Sequence, residues 1–304
     1  MIDRRTAIAT LAVASTLGWC APRGGGEAGG LPPLDLPVDD TPADKEAVRR
    51  FRAWQKENAL PAIFLEPVGP ALSTPGGSRI GGPVWLPAGE TWPADAKGVP
   101  MTFLGQVDFA SLPRLEDYPE AGVLQFFIGH DIYFGADLDR PEGGSFRVLW
   151  RPALDGPGAM HLGKVRNDPR HNFDPNSPLE PRSVTTGYRL AGRAGVHEPT
   201  INDWRFHRDL RDIAEGRGRG GVNRLVNAQF TARPERHHIG GNPEFTQDDW
   251  RGTPAYNDYD RVLLNLWSDR TVMWGDMGQG QFMIRRADLL ARDFSRVAYQ
   301  WDCS

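Results

Sequence analysis

His237 and His238 are the first residues in this chain whose type invites chemistry, with Glu235, Asp248 and Asp249 close by. An imidazole beside a carboxylate can accept a proton near neutral pH or ligate a metal. Adjacent side chains on a strand point to opposite faces, so the two histidines are badly placed to share one metal ion. His237 alone remains a candidate ligand or general base. The opposing reading is that it hydrogen-bonds the Gly240-Gly241 turn that follows and fixes the backbone there. A second candidate is Trp274-Gly275-Asp276-Met277-Gly278-Gln279-Gly280. Its glycines and lone Asp276 can line a ligand site with Trp274 as a stacking platform. Alternatively, Asp276 caps a tight turn between two strands. Gln106, Gln125 and Gln247 complete a set that, with His237, Trp274 and Asp276, would orient a ligand through hydrogen bonds.

Other chemistries lack their signatures. There is no Gly-x-Ser-x-Gly elbow, no phosphate loop, no nucleotide-binding glycine phrase between a strand and a helix, and no Cys-x-x-Cys. No metal and no cofactor is therefore expected. Cys303 beside Trp301 and Asp302 reads as a packed side chain of the last strand, since no basic neighbour marks it as a thiolate. With only Cys20 and Cys303 in the chain, no disulfide framework is expected. Arg217-Gly218-Arg219-Gly220-Gly221 resembles an RNA-binding repeat, but one copy in a chain of net charge -4 reads as a mobile surface loop. Nucleic acid is not an expected partner. Trp85, Trp92, Trp250, Trp267 and Trp274 lie beside turns, either lining a cleft or packing the core.

The elements that must hold these residues show a repeated order. Arg79-Ile80-Gly81-Gly82 returns as His238-Ile239-Gly240-Gly241, and Phe103-Leu104-Gly105-Gln106-Val107 as Val262-Leu263-Leu264-Asn265-Leu266. Leu124-Gln125-Phe126-Phe127-Ile128 returns as Gly280-Gln281-Phe282-Met283-Ile284. Three phrases in one order and nearly constant register predict an internal duplication, with halves at about 60–150 and 222–304. Chance likeness of apolar strands is the competing explanation. Each half reads as a Gly-Gly turn and two buried strands, including Val99 to Val107 and Gly122 to Ile128. A helix is expected from Thr41, with Thr41 as N-cap, Pro42 in the first turn and Asp44 closing a capping box. Val48, Phe51 and Trp54 follow on one face. Arg151 to Pro181 reads as loop, Trp204 to Ala214 as a short helix and Gly216 to Gly221 as a flexible loop. Ala287 to Leu290 reads as a helical turn before a final strand, Arg296 to Trp301.

Hydrophobic residues at 39% and charged residues at 24% suit a soluble globular protein, and abundant Gly and Pro favour short strands over long helices. The basic residues are nearly all arginine, Lys45, Lys56, Lys97 and Lys164 excepted, which reads as composition bias and not as a recognition surface. Arg4-Arg5 precedes an uncharged apolar stretch, Thr6 to Trp19, shorter than the roughly 20 residues of a spanning helix. Residues 1–21 therefore read as an export signal of twin-arginine type, and a disordered cytoplasmic N-terminus is the alternative. Leu17-Gly18-Trp19-Cys20 resembles a lipid-attachment site, although Trp19 stands where a small residue is wanted. Ala12-Val13-Ala14 offers ordinary cleavage instead. The expectation is an exported protein, periplasmic or membrane-tethered through Cys20, with residues 22–40 as a Gly/Pro-rich linker and 41–304 as one duplicated unit.

Ser78-Arg79-Ile80-Gly81-Gly82-Pro83 with Leu86-Pro87, Leu104 to Phe109 and Gly122 to Phe127 resemble the N-terminal half of the YwqG-like family. Its C-terminal half is matched by His237 to Pro243, Phe245-Thr246-Gln247, Trp274 to Gly278, Asp293 to Val297 and Trp301-Asp302-Cys303. Asn265 and Trp267 depart from a more usual Gln and Asp. The resemblance, to a family defined as a domain of unknown function (DUF1963), implies an α+β, mostly β, duplicated fold and no reaction. The expected architecture is pseudo-twofold halves of short strands, an N-terminal amphipathic helix and few other helices. The expected function is non-enzymatic: a ligand-binding or protein-interaction module of the bacterial cell envelope. A small ligand, a glycan or a protein partner would bind where the two Gly-Gly turns meet. The alternative is a hydrolase or metal-dependent enzyme using His237 and Asp276.

Overall fold

The computed structural model describes residues 41–164, 174–232 and 237–303. The expected export signal (1–21), the linker (22–40), Cys20 and Glu235 lie outside the described residues. Helix α1, Pro42–Glu57, starts as its sequence predicts. Thr41 Oγ1 accepts the Asp44 N–H at 3.1 Å, and the Asp44 carboxylate accepts the Thr41 N–H at 3.4 Å. Its apolar face, Ala47, Phe51 and Trp54, packs on Phe206, Ile213 and Val222. These belong to α3, Trp204–Asp209, α4, Arg211–Ala214, and α5, Arg219–Ala232. Helices α2, Pro181–Thr185, and α6, Arg286–Ala291, are single short turns of chain. Among the described residues no helix is long and apolar enough to cross a membrane.

The strands are β1 (Leu60–Pro70), β2 (Arg79–Ile80), β3 (Val84–Pro87), β4 (Thr102–Asp108), β5 (Val123–Ile128) and β6 (Phe146–Arg151). They continue with β7 (Gly158–His161), β8 (Tyr188–His197), β9 (His237–Gly240), β10 (Arg261–Trp267), β11 (Gln279–Ile284) and β12 (Ala298–Asp302). Ten of them form one antiparallel sheet in the order β12-β11-β10-β9-β1-β8-β2-β4-β5-β6, and β3 pairs with β7 in a small second sheet. The long pair β1/β8 lies at the centre. One arm, β2-β4-β5-β6, hangs on β8; the other, β9-β10-β11-β12, hangs on β1.

The arms curl towards each other until the sheet is nearly closed. The ring of Phe146 in β6 lies 5.5 Å from that of Tyr299 in β12, and Phe126 lies 4.8 Å from Phe282. This juxtaposition buries one apolar cluster drawn from both arms, including Leu104, Leu124, Leu264 and Ile284. Strands β5 and β11 are buried at every position, because their second faces are covered too. Phe127 sits under Val84, Leu86 and Trp92, and Met283 under Phe245 and Tyr259. The fold is thus mixed α and β with strand predominating.

Two expectations need correction. Arg151 to Pro181 is not wholly loop, because Gly158–His161 pairs with β3 as β7. Gly216 to Gly221 is not a flexible loop throughout: α5 begins inside it, at Arg219, and docks on α1. Gly221 donates its N–H to Asp44 Oδ1 at 3.0 Å, and a Cβ there would come within 2.8 Å of the Asp44 Cβ. Gly221 therefore serves close helix contact and not mobility. Cys303 is fully buried, as a packed side chain should be, and is disulfide-bonded.

Candidate functional site

Among the described residues no hydrogen bond, ion pair or ring contact joins any two of the six side chains singled out in the sequence. Gln106 is fully buried and donates to the carbonyls of Pro75 and Gly77, both at 2.9 Å. Gln125, equally buried, donates to the Trp85 carbonyl at 2.8 Å and accepts from Arg151 Nε at 3.0 Å. Trp274 is fully buried against Phe134 and Trp301. Gln247 is exposed and ties its amide to the Cys303 carbonyl at 2.9 Å. Asp276 is exposed in a turn between Gly275 and Met277, both at positive φ, closed by Gly278 N–H to the Trp274 carbonyl at 2.8 Å. No hydrogen bond or ion pair joins it to His237 among the described residues.

His237 is 4% exposed, with one ring nitrogen hydrogen-bonded and the other beside a carboxylate. Nδ1 accepts the Trp267 N–H at 3.1 Å and Nε2 lies 3.3 Å from the Asp269 carboxylate. Burial opposes the charge on Asp269, yet His237 together with the hydroxyl and N–H of Thr271 brings the carboxyl down to about 2. His238 is buried with its ring stacked on His197, centroids 4.3 Å apart. His197 in turn bonds Glu244 at 3.1 Å, and Glu244 also accepts the Trp267 indole N–H. Burial again opposes ionisation of Glu244, but His197 and His238 hold it at about 2. This histidine and carboxylate cluster is a buried polar seam across β8, β9 and β10. Among the described residues, no three His, Cys, Asp or Glu side chains gather as a metal cage.

A cavity of about 290 Å³ opens elsewhere, beside the start of β4 and the end of β7. Trp92, Met101 and Phe103 form its apolar wall. Trp92 is fixed by its indole N–H, which donates to the Met101 carbonyl at 2.8 Å, and by an edge contact to Phe127 at 5.5 Å. Facing it are Thr102, His130, His161, Lys164 and Asp174. His130 Nε2 lies 3.5 Å from Asp174 Oδ2, and its Nδ1 lies 3.4 Å from Thr102 Oγ1. Both His130 and Asp174 are about nine-tenths buried. Asp174 is held from behind by the Asn176 N–H at 3.0 Å. An imidazole held between a carboxylate and a hydroxyl is fixed in orientation. Another hollow, about 380 Å³ between α1 and α4, is lined by the mutually neutralised Arg50–Asp212 pair and carries no aromatic wall.

Sequence reasoning missed His130 and Asp174. The only signal was a histidine just past the end of a buried strand, two residues after Ile128; Asp174 comes from a Pro- and Asn-rich stretch with no pattern.

Residues 78–303 match the family described as Domain of unknown function (DUF1963). The chain belongs to this family. In this DUF1963 chain the match takes in β2 through Cys303, hence both arms, β8 and the whole cavity lining, and leaves out α1 and β1. No curated protein matches the chain.

Proposed function

We propose that this DUF1963 protein is a non-enzymatic binding module whose ligand occupies the cavity at His130. The observation that carries the reading is the cavity's composition: an immobilised aromatic wall opposite a buried, carboxylate-held imidazole. Small-molecule sites combine such apolar lining with a few convergent polar groups. The bacterial cell envelope is its proposed location, through export by the Arg4-Arg5 leader and the linker to residue 40. The two arms are proposed to descend from one duplicated unit. In support, β4/β5 breaks register between Phe103 and Gly105, and β10/β11 between Val262 and Leu264. Gln125 bonds the Trp85 carbonyl as Gln281 bonds the Glu244 carbonyl, each five residues beyond the matching Ile80 or Ile239.

Thermal unfolding of the full chain with small aromatic and aliphatic acids, amides, oligosaccharides, muropeptides and divalent metals tests the binding role. A ligand at a hundredfold excess over its dissociation constant adds about 2.7 kcal/mol of stability. The expected result is a shift with one small-molecule class that Trp92→Ala abolishes. A shift that survives Trp92→Ala, or none with any compound, removes the cavity from the account.

The chain Thr102–His130–Asp174 favours a second reading, hydrolysis with His130 as proton acceptor. It moves the enzyme hypothesis away from His237 and Asp276. Release of product from a compound that binds, lost in His130→Asn, is the outcome that would establish it.

A further inference from the structure

We propose that Cys303 is bonded to Cys20, and that this bond, not a lipid, fixes the fate of the N-terminus. The leader is removed before residue 20, and residues 21–40 tie the end of β12 back to the start of α1. This rests on the export reading and not on the cavity at His130.

Elimination names the partner. Cys303 is disulfide-bonded, and Cys20 is the chain's only other cysteine. Cys20 lies outside the described residues, so reach is the physical condition to meet. Helix α1 has 16 residues and is therefore about 24 Å long. Just past its end, the Asn58 carbonyl accepts from Asn242 Nδ2 at 3.0 Å. Five positions beyond Asn242, the Gln247 amide donates to the Cys303 carbonyl at 2.9 Å. Even with that stretch fully extended, Thr41 lies within about 55 Å of Cys303. The chain from Cys20 to Thr41 can extend to about 70 Å, so it spans the gap with slack.

The receiving end is a fixed anchor, whereas most chain ends fray. Cys303 is fully buried against the turn from Trp274 to Gly278. A Cβ on Gly275 would come within 2.8 Å of its sulfur, and one on Gly278 within 2.6 Å of its Cα. Next to it, the Asp302 carboxylate accepts the N–H groups of Thr246 at 2.8 Å and Gln247 at 3.1 Å.

The bond has a consequence for processing. A disulfide and a lipid thioether at Cys20 would use the same sulfur, so one excludes the other. Cleavage must then spare residue 20, and Ala12-Val13-Ala14 supplies a site that leaves Ser15 first. Joining the two thiols releases two electrons and two protons. Thiol–disulfide exchange passes both to the disulfide of an oxidising partner protein, which becomes a dithiol. Such oxidation suits an exported chain, because cytosolic thiols are kept reduced.

Mass spectrometry of the full chain, expressed with its own leader in an exporting bacterium and alkylated before lysis, provides the test. Trypsin without reductant should release residues 15–23 linked to residues 297–304, a pair that separates on reduction. A diacylglyceryl group on Cys20, an N-terminus beyond residue 20, or both thiols alkylated overturns the proposal. If both thiols are alkylated in a chain that has lost its leader, export stands and only the bond falls. If they are alkylated in a chain that keeps its leader, both fall. Cys20→Ser gives a second measurement, since it alters no described contact. It should lower the melting temperature by about 5 °C or more, and dithiothreitol should bring the parent down to the same value. Equal melting of parent and variant without reductant overturns the tie between the chain ends.

Discussion

Arg79 and Asp302 carry charge deep in the fold, and neither resembles the other in how that charge is tolerated. The Arg79 guanidinium is 2% exposed and donates to the carbonyls of Leu72 at 2.8 Å, Thr74 at 2.7 Å and Pro83 at 3.0 Å. Burial pulls its pKa down to about 10 while Asp108 works to raise it, so it stays charged at neutral pH. Asp302 is in the opposite position. Burial pushes its carboxyl up to about 6, although the N–H groups of Gln247 and Thr246 pull the other way. Its folded value lies above its ordinary value of 3.8, so this group's contribution to stability is complete below about 3.8 and is lost as pH rises through about 6. Asp302→Asn, which keeps an acceptor for both N–H groups, should therefore raise stability at pH 8 by on the order of 1–3 kcal/mol and change little at pH 4. Urea unfolding at the two pH values checks this; an equal effect at both removes the buried-acid account. The contrast with His237 shows what residue types disclose. The sequence offered His237 as either catalytic or turn-binding, and its Nδ1 is in fact bonded to the Trp267 backbone. Nothing in the residue type separates those fates, because they depend on a partner thirty positions away.

Helix α5 was the element hardest to foresee, and β7 was close behind. Arg217-Gly218-Arg219-Gly220-Gly221 has poor helix propensity taken alone, yet α5 forms because α1 lies close enough to exclude side chains. A Cβ on Gly218 would meet the Ala43 carbonyl oxygen at 2.5 Å. Gly221→Ala tests the point with a clear sign. Intrinsic propensity favours alanine by about 1 kcal/mol, whereas contact with Asp44 predicts a net loss of roughly 1–3 kcal/mol. Chemical denaturation gives the answer, and a stabilised variant would mean that α1 and α5 can separate freely. Strand β7 has only Gly158-Ala159-Met160-His161 to offer, none a strong strand former. It exists because Trp85 in β3 lies over Gly158, where a Cβ would fall 2.5 Å from the indole. By contrast, α1, β5 and β11 were legible. The capping box of α1 and the apolar run of β5 are local signals that no distant contact overrides, and β11 repeats the β5 phrase in Gln281-Phe282-Met283-Ile284.

The order of the ten-stranded sheet was not legible at all, even though the Gly-Gly turns that flank its centre were. Strand β1 carries Pro61, Pro67 and Pro70 and still sits in the middle of the sheet, between β8 and β9. Proline there argues against a central strand, and the pairing absorbs it with a register shift between Pro67 and Gly69. The partners of β1 come from far along the chain: Leu65 pairs with Gly192 and with His237. Such long-range pairing slows folding, and refolding from denaturant is expected on the millisecond-to-second scale or slower. Stopped-flow tryptophan fluorescence measures it, and a submillisecond single phase would contradict a sheet assembled around β1 and β8. The same crossed attachment has a bearing on synthesis. The arm made first is docked on β8, which follows it, while β1 must hold its place for the arm made last. Strand β1 ends at residue 70 and β8 begins at residue 188, so at roughly 5–20 residues per second the ribosome delivers the second centre strand several to some twenty seconds after the first. For that interval the nascent chain presents Ala62, Ile63 and Leu65 with neither neighbour made, an opening for chaperones and proteases alike.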